Sequence, residues 1–297
     1  MEIVKFEKEM AAGVARCYNE LVAPVPYSRA VPEEWFADLT RLERQPCAEQ
    51  EILVAREAGE AIGFAHVAIS APATEDWHCK GEPGAIRFLS YRPGERPIGA
   101  ALLEAAEGWV RERGRTEVVG MDWRYSYPFH VLPLGHISQR VSHLPPLLGM
   151  AGYEVPESEV FFHWREFEPP AVSEPDVEFE LVCEEGVPTT HGPALAVRAK
   201  QGARQVGECK MTRMSGDPWL PQFADWCICD NLYVEDPLQG KRLGKYLLAR
   251  GLAEMRKAGA RHALIDTDWD NWRAYLFYTN FGFEFLDRTF GFRKKLG

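Results

Sequence analysis

Hydrophobic positions along the chain alternate between a spacing of two and a spacing of three to four, the pattern of interleaved strands and helices. In the first half this predicts a strand at Glu2–Phe6, helices near Lys8–Leu21 and Pro32–Leu42, and strands near Ile52–Arg56, Ala61–Ser70 and Ile86–Tyr91. An amphipathic helix from Pro97 to Gly114, a strand at Val118–Trp123 and an apolar helix from Leu144 to Gly152 follow. The second half predicts strands at Glu178–Cys183 and Ala194–Lys200 and a strand ending at Asn231–Val234. Then come a helix from Arg242 to Gly259, a strand at Ala263–Trp269 and a helix from Ala274 to Gly282. The expected class is mixed α/β.

The two halves echo one another. Pro97-Ile-Gly-Ala-Ala-Leu-Leu103 matches Arg242-Leu-Gly-Lys-Tyr-Leu-Leu248, and each half then runs through a strand to an apolar helix closed by Gly-aromatic-Glu, at Gly152-Tyr153-Glu154 and Gly282-Phe283-Glu284. A duplicated α/β unit accounts for this. Between the halves, residues 168–176 carry three prolines among acidic and small residues and have neither period, as an exposed linker would. The expected organisation is therefore a first domain at 1–167, a linker at 168–176 and a second domain at 177–297.

Composition narrows the function classes. A 46% hydrophobic and 26% charged chain is too apolar for disorder and too interrupted for a membrane span. The net charge of −10 argues against nucleic acid, whose phosphates need clustered Lys and Arg. Seven cysteines without CxxC spacing indicate neither a zinc site nor a disulfide scaffold, and no metal is expected. Cys227 and Cys229 alternate in an apolar run and read as two small hydrophobes on one strand face. Met1–Lys8 hold two glutamates and no signal-peptide core, so a cytoplasmic protein is expected.

Chemistry concentrates in two runs. The first, Asn231-Leu-Tyr-Val-Glu-Asp-Pro-Leu-Gln-Gly-Lys-Arg-Leu-Gly-Lys-Tyr-Leu-Leu248, reads as strand, polar turn and helix start. The first amides of a helix have no internal partner and meet the positive end of its dipole, which suits a pyrophosphate. The second, Asn271-Trp-Arg-Ala-Tyr-Leu-Phe-Tyr278-Thr-Asn-Phe-Gly-Phe283, places Ala274 and Tyr278 one helical turn apart on the same side.

Together the two runs resemble the GNAT superfamily of N-acetyltransferases. Gln239 and Gly244 match its Gln/Arg-x-x-Gly-x-Gly/Ala loop, with Arg242 standing where the first glycine is usual; the second run fills every position of Asn-x-x-Ala-x-x-x-Tyr-x-x-x-Gly-Phe. The resemblance covers both halves but is strong only in the second. It implies two tandem GNAT folds and acetyl-CoA as co-substrate. Gln239, Gly240, Lys241, Arg242, Leu243, Gly244 and Lys245 would receive the pyrophosphate, and Leu232, Tyr233 and Val234 would line the pantetheine, with Asn271, Ala274 and Tyr278 also beside the cofactor. It further implies a general acid at Tyr278, protonating the departing thiolate, and a strand before the loop that splays from its neighbour. Asp230 is the candidate base, on the face of Leu232 and Val234 if alternation is unbroken, with Glu208 and Asp268 in reserve.

The first half lacks these groups. Leu148 stands at the position of Tyr278, Val141 at that of Asn271, Pro97 at that of Arg242 and Gly94 at that of Gln239, so residues 1–167 read as a degenerate copy. The second half moves from Glu178–Cys183 to Ala194–Lys200 with no room for the two early helices that, in the family, wall the acceptor site. The aromatic segment Tyr125–Arg140 of the first half is expected to supply that wall, with Tyr125, Tyr127 and His130 as substrate contacts. The activity expected is direct transfer of an acetyl group to a primary amine of a small-molecule acceptor. A non-catalytic acyl-CoA-binding module and a protein or peptide N-acetyltransferase are the rival readings.

Overall fold

The structure is a computed structural model, described over residues 1–42, 47–70, 83–130, 136–189 and 192–297. It divides into two compact units, Met1–Glu159 with Asp287–Gly297, and Val160–Leu286.

In the first unit, β1 (Glu2–Lys5), α1 (Ala11–Val22), β2 (Cys47–Glu57), β3 (Glu60–Ser70), β4 (Gly84–Tyr91), α2 (Arg96–Glu112), β5 (Glu117–Gly120) and α3 (Leu144–Met150) follow the predicted order, and an unpredicted short strand, β6 (Ile137–Ser138), precedes α3. β1 to β4 form an antiparallel meander; β4 then pairs parallel with β5, across the α2 crossover. The helix expected at Pro32–Leu42 is two single 3-10 turns, Glu33–Trp35 and Leu39–Leu42. Tertiary packing overrides the helical period here: Phe36 is drawn fully into an aromatic core with Tyr18, Phe64, Tyr127 and Phe129.

In the second unit, β7 (Glu154–Trp164) enters at Val160, and β8 (Glu180–Thr189), β9 (Gly192–Gln201), β10 (Arg204–Arg213) and β11 (Trp226–Val234) follow. α4 (Leu243–Lys257), β12 (His262–Asp268), α5 (Trp272–Phe281) and the start of β13 (Glu284–Lys295) complete it. The sheet order is β7-β12-β11-β10-β9-β8. β8 and β9 are a direct hairpin, so the two early helices are absent, as the sequence predicts. One face of this sheet is apolar and carries both helices. Val197, Cys209, Met211, Cys227, Cys229 and Ile265 pack there against Leu247, Leu248, Leu252 and Tyr278. The closeness of α4 depends on Gly251, where a Cβ would stand 2.9 Å from Met211 Sδ and 3.0 Å from Cys209 Sγ.

The division differs from one at residues 168–176. Phe167 is fully buried in the second unit's core and Val172 and Val177 pack against it, so the proline-rich stretch is part of that unit. The last residues of the chain belong to the first unit, where Phe292, Arg293, Lys294 and Lys295 of β13 pair antiparallel with Gly120, Val119, Val118 and Glu117 of β5.

Candidate active site

The site begins where two strands part. β11 and β12 pair in parallel from Trp226↔His262 to Cys229↔Ile265 and no further, although β11 runs on to Val234 and β12 to Asp268. Beyond Cys229, the backbone groups of β11 that face β12 have no ladder partner among the described residues, and burying them requires another hydrogen-bonding group. On its other side β11 stays paired with β10, with a bulge: Lys210 opposes Asn231 and Met211 opposes Cys229, which leaves Asp230 as the extra residue. The expected splay is thus present in this chain.

The bulge corrects one expectation. Alternation is broken at Asp230, so Cys227 and Cys229 share the helix-covered face with Leu232 and Val234, and Asp230 does not. Its carboxylate accepts from Thr212 Oγ1, on the opposite face. Glu208 lies on that face too, buried, accepting from Arg198 Nε at 2.7 Å and Asn231 Nδ2 at 3.1 Å, with Lys210 Nζ 3.3 Å away. Burial pushes its carboxyl up, but the bonds from Arg198, Asn231 and Lys210 outweigh burial and hold it below its ordinary range. Glu208 is therefore an anchored anion rather than a proton acceptor. Asp268 is exposed at the end of β12.

After β11 the chain turns through a 3-10 turn, Asp236–Leu238, and enters α4. Gln239 ties this turn to the strand end, its Nε2 donating to the Val234 carbonyl at 2.9 Å and to Asp236 Oδ1 at 2.8 Å. Gly240 has φ 77°, and Arg242, at the N-terminal boundary of α4, has φ 68°. Arg242 thus keeps a left-handed backbone at the position where a glycine is usual, a conformation that costs a non-glycine residue roughly 1–2 kcal/mol. No side chain caps α4; the Tyr246 amide already bonds to the Arg242 carbonyl at 3.0 Å, so the amides before it stay open to a ligand.

α5 forms the other wall. Asn271 caps it, Oδ1 accepting from the Ala274 amide at 3.2 Å and Nδ2 donating to Thr267 Oγ1 at 3.1 Å. Tyr278 is 6% exposed, and among the described residues its hydroxyl has no hydrogen-bond partner. Burial raises its pKa well above the ordinary phenol range, with Cys229, Asp266 and Cys209 adding to the shift.

These elements enclose a cleft of about 400 Å³, lined by Leu232, Tyr233, Val234, Gln239, Gly240, Arg242, Gly244, Lys245, Arg273, Ala274, Phe277 and Tyr278. Ten of these were expected from the sequence. Arg273 and Phe277 were not: they fill variable positions of the second motif, although helical spacing puts Phe277 one turn from Ala274. Lys241, Leu243 and Asn271 do not line it. Leu243 is buried in the core beneath α4, Lys241 is exposed and Asn271 is occupied as a cap.

The first unit is different at the corresponding place. The Tyr91 ring lies against Gly99 at the start of α2, where a Cβ would meet it at 2.4 Å, and is edge-on to His143 with centroids 4.7 Å apart. What is left is a cavity of about 130 Å³ lined in part by Cys17, Ser90, Tyr91, Arg92, Val141 and His143. Tyr125, Tyr127 and His130 are interior to this unit rather than on an open rim. Tyr127 Oη lies 2.9 Å from His66 Nδ1 and His130 Nδ1 lies 3.1 Å from Tyr18 Oη, pairings that let the polar tips be buried with their rings. Residues 131–135 of the expected wall segment lie outside the described residues.

Residues 159–283 match the model of the Acetyltransferase (GNAT) family. The fold is a tandem GNAT fold. A tandem GNAT protein from the clavulanic acid biosynthesis pathway superposes with a TM-score of 0.61 at 16% identity, covering 100% of this chain and 98% of the other. A GCN5-related N-acetyltransferase from Sphaerobacter thermophilus gives 0.59 at 15% identity, over 99% and 95%. The GCN5-related glucosamine N-acetyltransferase region of a fungal multi-domain GH3 β-N-acetylglucosaminidase gives 0.68 at 11% identity, over 99% of this chain and 38% of that one. No curated protein sequence matches the chain. The GNAT match falls almost wholly within the second unit, which holds the larger cleft.

Proposed function

We propose that the second unit is an N-acetyltransferase that moves an acetyl group from acetyl-CoA directly to a primary amine of a small-molecule acceptor. The observation that carries this is the convergence of an unladdered strand edge, the open first turn of a helix and an unpartnered phenol on one cleft. Each meets a different part of the co-substrate. The helix amides with Lys245 suit the pyrophosphate, the free edge of β11 suits the amides of pantetheine, and Tyr278 suits the sulfur. Acetyl-CoA supplies an activated acyl group and a thiolate leaving group.

This chain's residues then act from both faces of the strand gap. The amine attacks the carbonyl carbon and the carbon–sulfur bond breaks; the amine's proton passes to Asp230 on the face away from α4, while Tyr278 meets the departing sulfur from the helix side. Because burial keeps Tyr278 protonated, its phenol is a ready donor. Complete transfer to a thiolate whose acid has a pKa of about 8.5 is uphill, so the phenol acts by hydrogen-bonding the developing charge. The first unit, with Leu148 at the phenol's position and Tyr91 against Gly99, is the non-catalytic copy.

The test is CoA release measured by thiol detection across a library of amines, amino sugars included because one structural neighbour is a glucosamine N-acetyltransferase region. Release dependent on a small amine and lost in Tyr278→Phe supports the reading. Binding of CoA without release on any amine supports the binding-module alternative, and release on peptides alone supports the peptide one.

A further inference from the structure

The proline-rich stretch is laid along α4, the helix whose first turn opens onto the cleft. At one end Glu168 pairs with Arg256, in the last turn of α4, at 3.1 Å. At the other, Phe179 sets its ring edge-on to Tyr246 in the first turn, with centroids 5.6 Å apart. Between them the Arg242 guanidinium donates to Ser173 Oγ at 2.8 Å and pairs with Asp176. Both bonds therefore fall on the loop residue held at φ 68°.

A left-handed non-glycine residue is disfavoured by roughly tenfold against its ordinary conformations. Were Arg242 to relax to negative φ, Gln239–Lys241 would swing relative to the first amides of α4, and the anion site would lose its shape. We propose that Asp176 and Ser173 are positioning residues for the cofactor loop: by fixing the Arg242 guanidinium they hold its backbone left-handed, which a glycine would do unaided. The proposal rests on the acetyl-CoA reading of this cleft and adds to it residues that touch neither cofactor nor acceptor. It also accounts for an arginine at a glycine position: the chain carries its own tether for that residue.

The test uses the full-length chain and calorimetric titration with CoA. In Asp176→Asn/Ser173→Ala the dissociation constant is expected to rise about threefold to tenfold, and less in high salt, because the tether is solvent-exposed and its attraction is screened. KM for acetyl-CoA rises by the same factor with kcat unchanged. In Arg242→Gly, where the backbone needs no tether, adding Asp176→Asn is expected to change binding by less than about twofold, as coupled residues require. Unchanged or tighter binding in the tether variant overturns the proposal, as does an equal loss in the Arg242→Gly background. Should the parent bind no CoA, the acetyltransferase reading fails by itself. Hydrogen exchange of the Tyr246 amide, bonded to the Arg242 carbonyl, still decides the positioning role without ligand. It should be faster in the tether variant and restored by Arg242→Gly; no difference from the parent refutes the tether.

Discussion

Cys229 and Ile265 are the last residues that pair between β11 and β12, and every group assigned to the cofactor lies beyond or beside that point. A parallel ladder that stopped later would satisfy the strand edge internally and close the gap between the acid and base positions. The position of this last pair is therefore the feature from which the proposed chemistry follows.

Tyr278→Phe removes only a hydroxyl from a packed ring. Turnover is expected to fall roughly 10²–10³-fold, the size of a lost preorganised hydrogen-bond donor, with CoA affinity unchanged. Burial raises the phenol's pKa, so its proton remains in place as pH rises, and the parent's rate should show no loss from this group below about pH 10. An alkaline limb near neutrality that vanishes in the variant would contradict this.

Asp230→Asn is expected to lower kcat with CoA affinity unchanged, since the amide cannot take the amine's proton. A kcat equal to the parent's would assign proton removal elsewhere. Glu208→Gln should behave differently. Its carboxylate is held ionised by Arg198, Asn231 and Lys210, so its loss lowers the denaturation midpoint more than the turnover of the folded protein.

Lys245→Glu places a like charge beside the pyrophosphate position. CoA affinity is expected to drop by at least about fivefold at low ionic strength and less in high salt, as exposed charges are screened within about 10 Å at 0.1 M. Titration of the parent should give one CoA per chain, because the first unit's cavity is about 130 Å³ against about 400 Å³ in the second. Two equivalent sites would refute the degenerate copy.

Asn271→Ala removes the cap of α5. Unfolding free energy is expected to fall by about 0.5–2 kcal/mol in denaturant titration, with little change in CoA affinity, since Asn271 does not line the cleft. A large loss of affinity at unchanged stability would return Asn271 to the cofactor site.

A fragment beginning at residue 171 omits Val160, Phe162 and Phe167, all fully buried in the second unit's core. Truncating one such phenylalanine alone costs about 3–5 kcal/mol. The fragment is therefore expected to be unfolded by circular dichroism, and a cooperative transition like that of the full chain would show that these residues are dispensable.

The sequence by itself determined many local matters: the order of most strands and helices, though not β6, β7, β10 or β13, the turn from Gln239 to Gly244, the pair Ala274 and Tyr278 on one side of a helix, and the absence of early helices between β8 and β9. Those follow from spacing along the chain, because a helix face or a hairpin is set by residues within a few positions of each other. Tertiary structure decided what depends on distant partners. The parting of β11 from β12 turns on residues some thirty-five positions apart, and the bulge that moves Asp230 to the other face is a register choice made against β10. The burial of Tyr127 and His130 needed Tyr18 and His66, and the pairing of β5 with the end of the chain left no local trace. The proline-rich stretch gives the same lesson: it has no period of its own, and distant partners, the apolar ground beneath Phe167 and Val172 and the guanidinium groups of Arg242 and Arg256, fix its place in the second unit.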